Sequence, residues 1–195
     1  ILYIHWGLEY QTEPEQWQKN LAKKLVRSGA DAIIGHHPHV IQTMEFIDGV
    51  SVFYSIGNFV ADAYLPSTTE SFIINLTLSD MIKSIQVQPV QLENYFPHPA
   101  IKEKQIQIVR DFLQNSDKIC AFYQNNGWQI KNRRNINFTE DTDLWLFSTE
   151  NRLTAIKELK EGSKVLTVFS SDSHTKSIRL TGVLSEIDFA DIDNN

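Results

Sequence analysis

The pattern of apolar and polar positions predicts a strand, a helix and a second strand within the first 34 residues. Residues 1–4 form an apolar run with β-branched and aromatic side chains, which favours a central strand. Trp17, Leu21 and Leu25 then recur at the spacing of one helical face, and residues 32–34 form a second apolar run. This order predicts a right-handed crossover between two parallel, neighbouring strands.

Both ends of the predicted helix carry capping signals. Thr12-Glu13-Pro14-Glu15 has the spacing of a capping box, and it places Pro14 in the first helical turn, where its missing N–H is tolerated. Gly29 follows the last apolar position and suits the left-handed residue that ends many helices. The helix is therefore expected to begin just after Thr12 and to end before Gly29.

Alternating runs beyond residue 40 predict two β-hairpins. Asp48-Gly49 separates the first pair of runs, and this dipeptide is a strong hairpin signal. Ser79-Asp80 lies near the turn of the second pair, while Pro89 predicts that the last strand lies at a sheet edge. The four predicted strands are residues 43–47, 50–56, 72–78 and 85–92.

The pattern continues more weakly towards the C-terminus. Ile106, Val109 and Leu113 share one face of a predicted helix over residues 102–115. The basic residues Lys131, Arg133 and Arg134 are interpreted as a solvated turn. The remaining predictions are a surface linker at 94–99, a short helix at 152–160, and strands at 165–170 and 178–184.

Composition and charge narrow the class of protein. The 195 residues are 42% hydrophobic and 22% charged, as in a globular chain with a core. A net charge of −6 argues against binding nucleic acid or an anionic membrane through bulk electrostatics. No apolar run approaches the roughly 18 residues of a membrane-spanning helix, so no transmembrane segment is predicted. The single cysteine, Cys120, excludes an intrachain disulfide.

Four of the six histidines crowd into two short stretches, each directly after a predicted strand. His5 follows the first strand, and His36, His37 and His39 follow the second. If the strands are parallel neighbours, both stretches lie at the carboxyl edge of one sheet, where open α/β sheets hold ligands. Imidazole is a common ligand of transition metals, and the spacing of His37 and His39 lets both rings point one way on an extended backbone. A metal site is favoured over structural histidines.

Three motifs resemble the bacterial capsule-synthesis proteins of the CapA type, which are related to calcineurin-like metallophosphoesterases. The motifs are His5-Trp6-Gly7-Leu8-Glu9-Tyr10, Gly35-His36-His37-Pro38-His39-Val40 and Tyr54-Ser55-Ile56-Gly57-Asn58-Phe59. They lie within residues 1–62, and residues up to about 100 are compatible with the family. The resemblance implies an α/β fold, the C-terminal half of a layered α/β sandwich, over residues 1–100. Residues 101–195 would form a small α+β extension of unknown role.

The resemblance also implies a site with two divalent transition metal ions, Mn, Fe or Zn. His5, His37 and His39 would be metal ligands, and His36 would protonate the leaving group of a hydrolysed ester or amide. Because the chain begins with Ile1 inside a predicted core strand, it is expected to be the C-terminal portion of a longer protein. The remaining ligands are then expected from the preceding sequence. Phe59 stands where a Gly-Asn-His ligand motif would have its histidine, so no ligand is predicted there.

Two functions follow from the resemblance. The first is a metal-dependent hydrolase of capsule or poly-γ-glutamate biosynthesis, acting on an anionic polymer or phosphoester in the cell envelope, periplasmic or extracellular. The second is a non-catalytic assembly or polymer-binding protein of the same machinery. Other capsule-synthesis proteins are the expected partners in both.

The other chemically suggestive residues receive structural interpretations. Glu9 could face the site or cap the coming helix, and the structural role is preferred. Trp6 and Tyr10 could line a substrate groove, but packing beside the strand end is preferred, and Asp62 is only a weak candidate for the site. Residues 170–174 hold a serine, an acid and a histidine, but neighbours in one turn cannot align as a triad, so a polar turn is expected. His98 is expected at the surface and Cys120 as a packed thiol.

Overall fold

The structure is a computed structural model that describes residues 1–63, 65–113, 119–124 and 127–132, together with five later strands between residues 144 and 180. The chain divides into two compact units, Ile1–Phe112 and Leu113–Asn195. Both contain β-sheet, and the first contains two α-helices, so the α/β class is confirmed. No helix of the described residues is long and apolar enough to cross a membrane. The predicted functional boundary after residue 100 stays a prediction.

The first unit contains a four-stranded sheet in the order β1-β2-β4-β3. β1 and β2 are parallel, as the strand–helix–strand pattern predicted, and β4 continues the parallel sheet on the other side of β2. β3 closes the sheet as an antiparallel neighbour of β4. The strands are Leu2–His5 for β1, Ala32–His36 for β2, Met44–Ile47 for β3 and Val50–Phe53 for β4.

The helix α1, Gln16–Arg27, begins later than the capping signal predicted. The N-cap is Glu15, and its backbone N–H donates to Oε1 of Gln18 at 2.9 Å, so the capping box lies three residues further along. Pro14 therefore precedes the helix rather than occupying its first turn. Trp17 is 47% exposed, whereas Gln18 is buried because its side chain serves the cap. The prediction for Gly29 is confirmed, since it has a φ of 99° just after the helix.

Both hairpins predicted from alternating runs are present. Asp48 and Gly49 join β3 to β4 with φ values of 49° and 86°, which is the positive pair that a tight hairpin turn requires. The second hairpin pairs β5, Glu70–Leu78, with β6, Ile82–Glu93, and a short 3₁₀ helix, Pro66–Thr69, precedes it.

Two predictions around the second hairpin were wrong. The segment predicted as a surface linker contains β7, Phe96–Pro99, which pairs with the end of β6. β6 consequently has partners on both sides, and Pro89 does not mark a sheet edge. The pairing avoids the missing N–H, because Pro89 contributes its carbonyl, which accepts from the N–H of Ala100.

The core of the first unit lies on both faces of the four-stranded sheet. One cluster, between the sheet and α1, includes Trp6, Ile33 and Tyr54, all less than 5% exposed. The predicted second helix is confirmed as α2, Lys102–Leu113. The ring of Phe112 on this helix stacks on Phe53 and meets Phe72 edge to face. The sheet is thus fixed by apolar packing, and its carboxyl edge is held in place for the site.

The second unit consists of antiparallel strands in the described residues. β8, β9, β10 and β11 run together in the order β9-β8-β10-β11, and β12, β13 and β14 form a three-stranded sheet. Their bounds are Ile119–Gln124, Gly127–Asn132, Leu144–Thr149, Arg152–Thr154, Ile156–Lys160, Ser163–Phe169 and Thr175–Leu180. The last two strands confirm the predictions in that region, although residues 181–184 lie outside the described part.

The short helix predicted over residues 152–160 was wrong. This segment forms β11 and β12 instead, and β12 pairs with β13 so that Lys160 lies opposite Ser163. Only two residues, Glu161 and Gly162, separate the two strands in the sequence. Strand pairing across this connection outweighs the helical spacing of three apolar residues, since helix propensity is a weak determinant over so short a segment.

Candidate metal centre

The parallel register of β1 and β2 brings the two histidine stretches together. His5 lies opposite His36 at the carboxyl ends of these strands, each as the last strand residue rather than the first loop residue. The N–H of Trp6 donates to the carbonyl of His36 at 3.1 Å, so the backbone hydrogen bonds between the two segments continue one residue past the end of β1. The expected gathering of all four histidines at one sheet edge is confirmed by the ring contacts that follow.

The loop after β2 holds His37 and His39 in left-handed backbone conformations. Their φ values are 106° and 63°, so the backbone is not extended, and the two rings approach to a centroid distance of 5.9 Å across a tight turn instead. Such conformations cost non-glycine residues about 1–3 kcal/mol and persist where the surroundings enforce them. Here the buried Pro38 accepts a hydrogen bond from the N–H of Tyr10 at 2.8 Å, which ties the loop to the first motif.

Glu9 joins these two histidines in a group that suits a metal ion. One ligand atom from each of Glu9, His37 and His39 lies within 4.8 Å of the others. The carboxylate oxygen Oε1 of Glu9 is 3.9 Å from Nε2 of His39. Two imidazoles and a carboxylate are a donor set that Mn, Fe and Zn accept, so the residues present fit the predicted cofactor. Of the two roles open to Glu9 from the sequence, this contact favours the one facing the site over the preferred capping role.

His5 and His36 lie beside this group. The His5 ring is 4.2 Å from that of His37, centre to centre, and its Nδ1 is 3.3 Å from Nδ1 of His36. The other face of His36 stacks on Tyr3 at 4.5 Å. Burial lowers the pKa of His36, and the neighbouring histidines His5, His37 and His39 lower it further, because their positive charge opposes its own.

Asn58 of the third motif touches the same cluster. Its Oδ1 is 2.8 Å from Nδ1 of His39, and its Nδ2 donates to the carbonyl of Thr68 at 3.0 Å. A small cavity of about 50 Å³ opens beside this contact. Its lining consists of Tyr10, His39, Asn58, Asp62, Leu65 and Thr68. Asp62, a weak candidate from sequence, thus lies at the border of the cavity.

The two aromatic residues of the first motif have different environments. Trp6 is 4% exposed and donates its indole N–H to the carbonyl of Tyr54 at 2.8 Å, so its predicted packing role is confirmed. Tyr10 is 52% exposed with a φ of 64°, and its ring lies 6.0 Å from that of His39. Tyr10 therefore lies at the rim of the candidate site, which agrees with the groove-lining alternative rather than with the preferred packing role.

The remaining candidates lie away from the histidines or outside the description. His98 is exposed on β7, as predicted, and Lys131 is exposed on β9. Residues 170–174, Arg133, Arg134 and the side chain of Cys120 lie outside the described residues. Asn58 received no site role from the sequence, although its amide directly after the Gly57 turn of the third motif was the available signal.

Comparisons with known proteins agree with the three motifs. Residues 1–63 match the family model described as bacterial capsule synthesis protein PGA_cap. The chain is 35% identical over 120 residues to the PGA biosynthesis protein CapA of Bacillus subtilis, and 39% identical over 101 residues to the capsule biosynthesis protein CapA of Bacillus anthracis. These matches confirm the resemblance to CapA-type proteins.

The matched segments are only part of each relative. They cover 60% and 51% of this chain, but 32% of the Bacillus subtilis protein and 25% of the Bacillus anthracis protein. The family model ends just after the third motif, so all three motifs and the candidate metal centre lie within the matched region.

Proposed function

We propose that this chain, whose residues 1–63 belong to the CapA-type bacterial capsule-synthesis family, contributes a metal-dependent hydrolytic site to the production of a capsule or poly-γ-glutamate. The observation that carries the proposal is the meeting of Glu9, His37 and His39 at the carboxyl edge of the sheet. The left-handed conformations of both histidines support it, because backbone strain of this kind concentrates at functional sites.

A bound divalent metal would polarise the scissile bond and lower the pKa of a coordinated water. Glu9, His37 and His39 would hold one ion, and the exposed His5, in ring contact with His37, extends the donor set towards a second. We keep His36 as the group that protonates the leaving group, since its ring lies beside His5 and is only partly buried. The four histidines then divide between metal binding and proton transfer.

The wider features of the proposal follow from the family. The first unit would form half of a layered metallophosphoesterase-like sandwich, and the remaining ligands would come from sequence beyond this chain. The substrate would be an anionic polymer or a phosphoester, and the protein would act in the cell envelope, periplasmic or extracellular, beside other capsule-synthesis proteins. The names of the two Bacillus relatives support the capsule and poly-γ-glutamate assignment.

The test is a calorimetric titration of the metal-free chain with Zn²⁺ and Mn²⁺. The unchanged chain should bind these ions, and the double variant His37→Ala, His39→Ala should not, because it lacks two of the three convergent donors. His98→Ala is the matched control, since it removes an exposed histidine on β7 and should leave the affinity unchanged. Equal affinities in the double variant and the control would contradict the metal site.

Hydrolysis is measured separately on a metal-loaded protein extended to the length of its relatives, because the proposed site takes its remaining ligands from outside this chain, with p-nitrophenyl phosphate and polyglutamate as substrates. Turnover that disappears in the His37→Ala, His39→Ala variant supports the hydrolytic function. Metal binding without turnover of either substrate would contradict an independent hydrolase and favour the alternative, an assembly or polymer-binding protein that retains the fold.

A further inference from the structure

The contact between Asn58 and His39 has a direction that the surrounding hydrogen bonds determine. The amide nitrogen Nδ2 of Asn58 faces the carbonyl oxygen of Thr68 at 3.0 Å. A carbonyl can only accept a hydrogen bond, so the nitrogen of the amide belongs on that side. The opposite orientation would set two acceptor oxygens against each other. Oδ1 is therefore the atom that faces His39.

The orientation of this amide decides the protonation of the imidazole. Oδ1 of Asn58 lies 2.8 Å from Nδ1 of His39, and an amide oxygen is an acceptor only. Nδ1 must then carry the proton of the neutral ring, which leaves the lone pair on Nε2. Nε2 is the atom that lies 3.9 Å from the Glu9 carboxylate, on the side of the candidate metal centre.

The acceptor on the far side of Asn58 is itself held in place. Thr68 is 3% exposed, its N–H donates to the Leu65 carbonyl at 2.9 Å, and its hydroxyl donates to the same oxygen at 2.7 Å. The preceding Gly57 forms a bridge with Ser71 at the start of β5. The side chain of Asn58 and the residue before it are thus both held in place, so the pair with His39 is preorganised rather than formed on binding.

We infer that Asn58 is a positioning residue that holds His39 as its Nδ1–H tautomer and thereby directs Nε2 to the metal shared with Glu9 and His37. The inference rests on the proposed function for its consequence, but the tautomer itself is a property of the metal-free chain. Partners of this kind, which bind the second nitrogen of a ligating histidine, alter metal affinity by about 10- to 100-fold when they are removed.

The first measurement is the tautomer of His39 in the metal-free chain. Histidine-labelled protein at a pH where imidazoles are neutral gives separate nitrogen resonances for protonated and unprotonated ring positions, and a His39→Ala variant assigns them. We expect Nδ1 to be the protonated nitrogen in the unchanged chain and in Asn58→Asp, which keeps an acceptor oxygen towards His39 but loses the hydrogen bond to Thr68. Asn58→Ala should shift the ring towards Nε2–H. An unchanged tautomer in Asn58→Ala, or Nε2–H in the unchanged chain, would overturn the inference.

The second measurement is Zn²⁺ affinity of the same variants by calorimetry. Asn58→Ala should weaken binding by about 10- to 100-fold, and Asn58→Asp should recover most of that loss. Asn75→Ala is the control, because Asn75 is an exposed asparagine on β5. Equal losses in Asn58→Ala and Asn58→Asp would contradict the role of Oδ1, because Asp keeps an acceptor oxygen and nearly the same shape. Absence of Zn²⁺ binding in the unchanged chain would contradict the proposed function, whereas the tautomer result stands or falls by itself.

Discussion

Trp6 donates its indole N–H to the backbone carbonyl of Tyr54 at 2.8 Å. This buried hydrogen bond joins the first of the three sequence motifs to the third. The two rings also stack with centroids 5.6 Å apart. Gly35 of the second motif lies directly beneath the contact, since a Cβ on Gly35 would be 2.1 Å from the Tyr54 oxygen and 2.4 Å from the indole nitrogen. The three motifs therefore meet in the core as well as at the candidate metal centre.

This close approach predicts that Gly35→Ala is strongly destabilising. A methyl group at 2.1 Å from a backbone oxygen forces β2 and β4 apart and breaks the Trp6 hydrogen bond. We expect a loss of about 3 kcal/mol or more in the free energy of unfolding, at the upper end of what overpacking costs. Urea denaturation followed by tryptophan fluorescence measures it.

Gly29→Ala provides the contrast for that experiment. Gly29 has a φ of 99°, but nothing lies within 4 Å of a Cβ built on it, so only backbone strain is added. The expected loss is about 1 kcal/mol, clearly below that of Gly35→Ala. Equal losses in the two variants would show that the steric contact between the motifs contributes nothing.

The phenol of Tyr54 predicts a loss of stability in alkaline solution. Burial raises the pKa of Tyr54 far above its ordinary value, and the hydrogen bond to Glu45 and the charge of that carboxylate raise it further. The folded chain keeps this proton, whereas the unfolded chain releases it near about pH 10. Stability is therefore fully present below that pH and falls by about 1.4 kcal/mol per pH unit as the pH rises towards the folded pKa.

Urea denaturation at successive pH values measures this dependence. Tyr54→Phe should flatten the alkaline slope, because the group that titrates only in the unfolded chain is gone. Tyr95→Phe is the matched control, as Tyr95 is 59% exposed, and it should keep the slope of the unchanged chain. A slope that persists in Tyr54→Phe would assign the alkaline loss to other groups.

The early part of the fold was predictable from sequence because its signals are local. Apolar runs defined β1 and β2, and Asp48-Gly49 defined the turn between β3 and β4. The inward face of α1 was predicted less well, since the buried Gln18 is polar and Trp17 remains exposed. A polar side chain that caps its own helix is buried for hydrogen bonding, which hydrophobic periodicity does not register.

β7 was missed although its pairing with β6 is local, since only two residues separate the paired Glu93 and Phe96. β7 contains two prolines, which argue for a linker by local preference, yet it pairs with β6 over four residues. In the candidate site, the positions of the strand ends were enough to predict where the histidines gather. The contacts of Glu9 and Asn58 with these histidines depend instead on the conformation of loops. Their contacts depend on left-handed residues such as His37 and His39, whose conformations no pattern of residue types reveals.

The donor set predicts that Glu9 is a metal ligand in its own right. Glu9→Gln keeps the shape of the side chain but removes the negative charge, so Zn²⁺ affinity should fall by at least about tenfold. Glu93→Gln removes an exposed carboxylate from the end of β6 and serves as the charge-matched control. Calorimetric affinities that fall equally in both variants would indicate a general charge effect rather than ligation.

Substitution of Gly57 tests how far Zn²⁺ binding at the candidate metal centre depends on the backbone next to Asn58. A Cβ on Gly57 would lie 2.4 Å from the Glu70 carbonyl, and its φ of 79° also disfavours any side chain. Gly57→Ala should therefore move Asn58 away from His39 and weaken Zn²⁺ binding by about tenfold, as loss of a histidine's outer partner does. Gly49→Ala, at a φ of 86° with nothing within 4 Å, adds similar strain in a hairpin turn without that clash. It should lower the free energy of unfolding yet leave Zn²⁺ affinity unchanged. A folded Gly57→Ala chain that binds Zn²⁺ like the unchanged chain would mean that the position of Asn58 does not depend on this close approach.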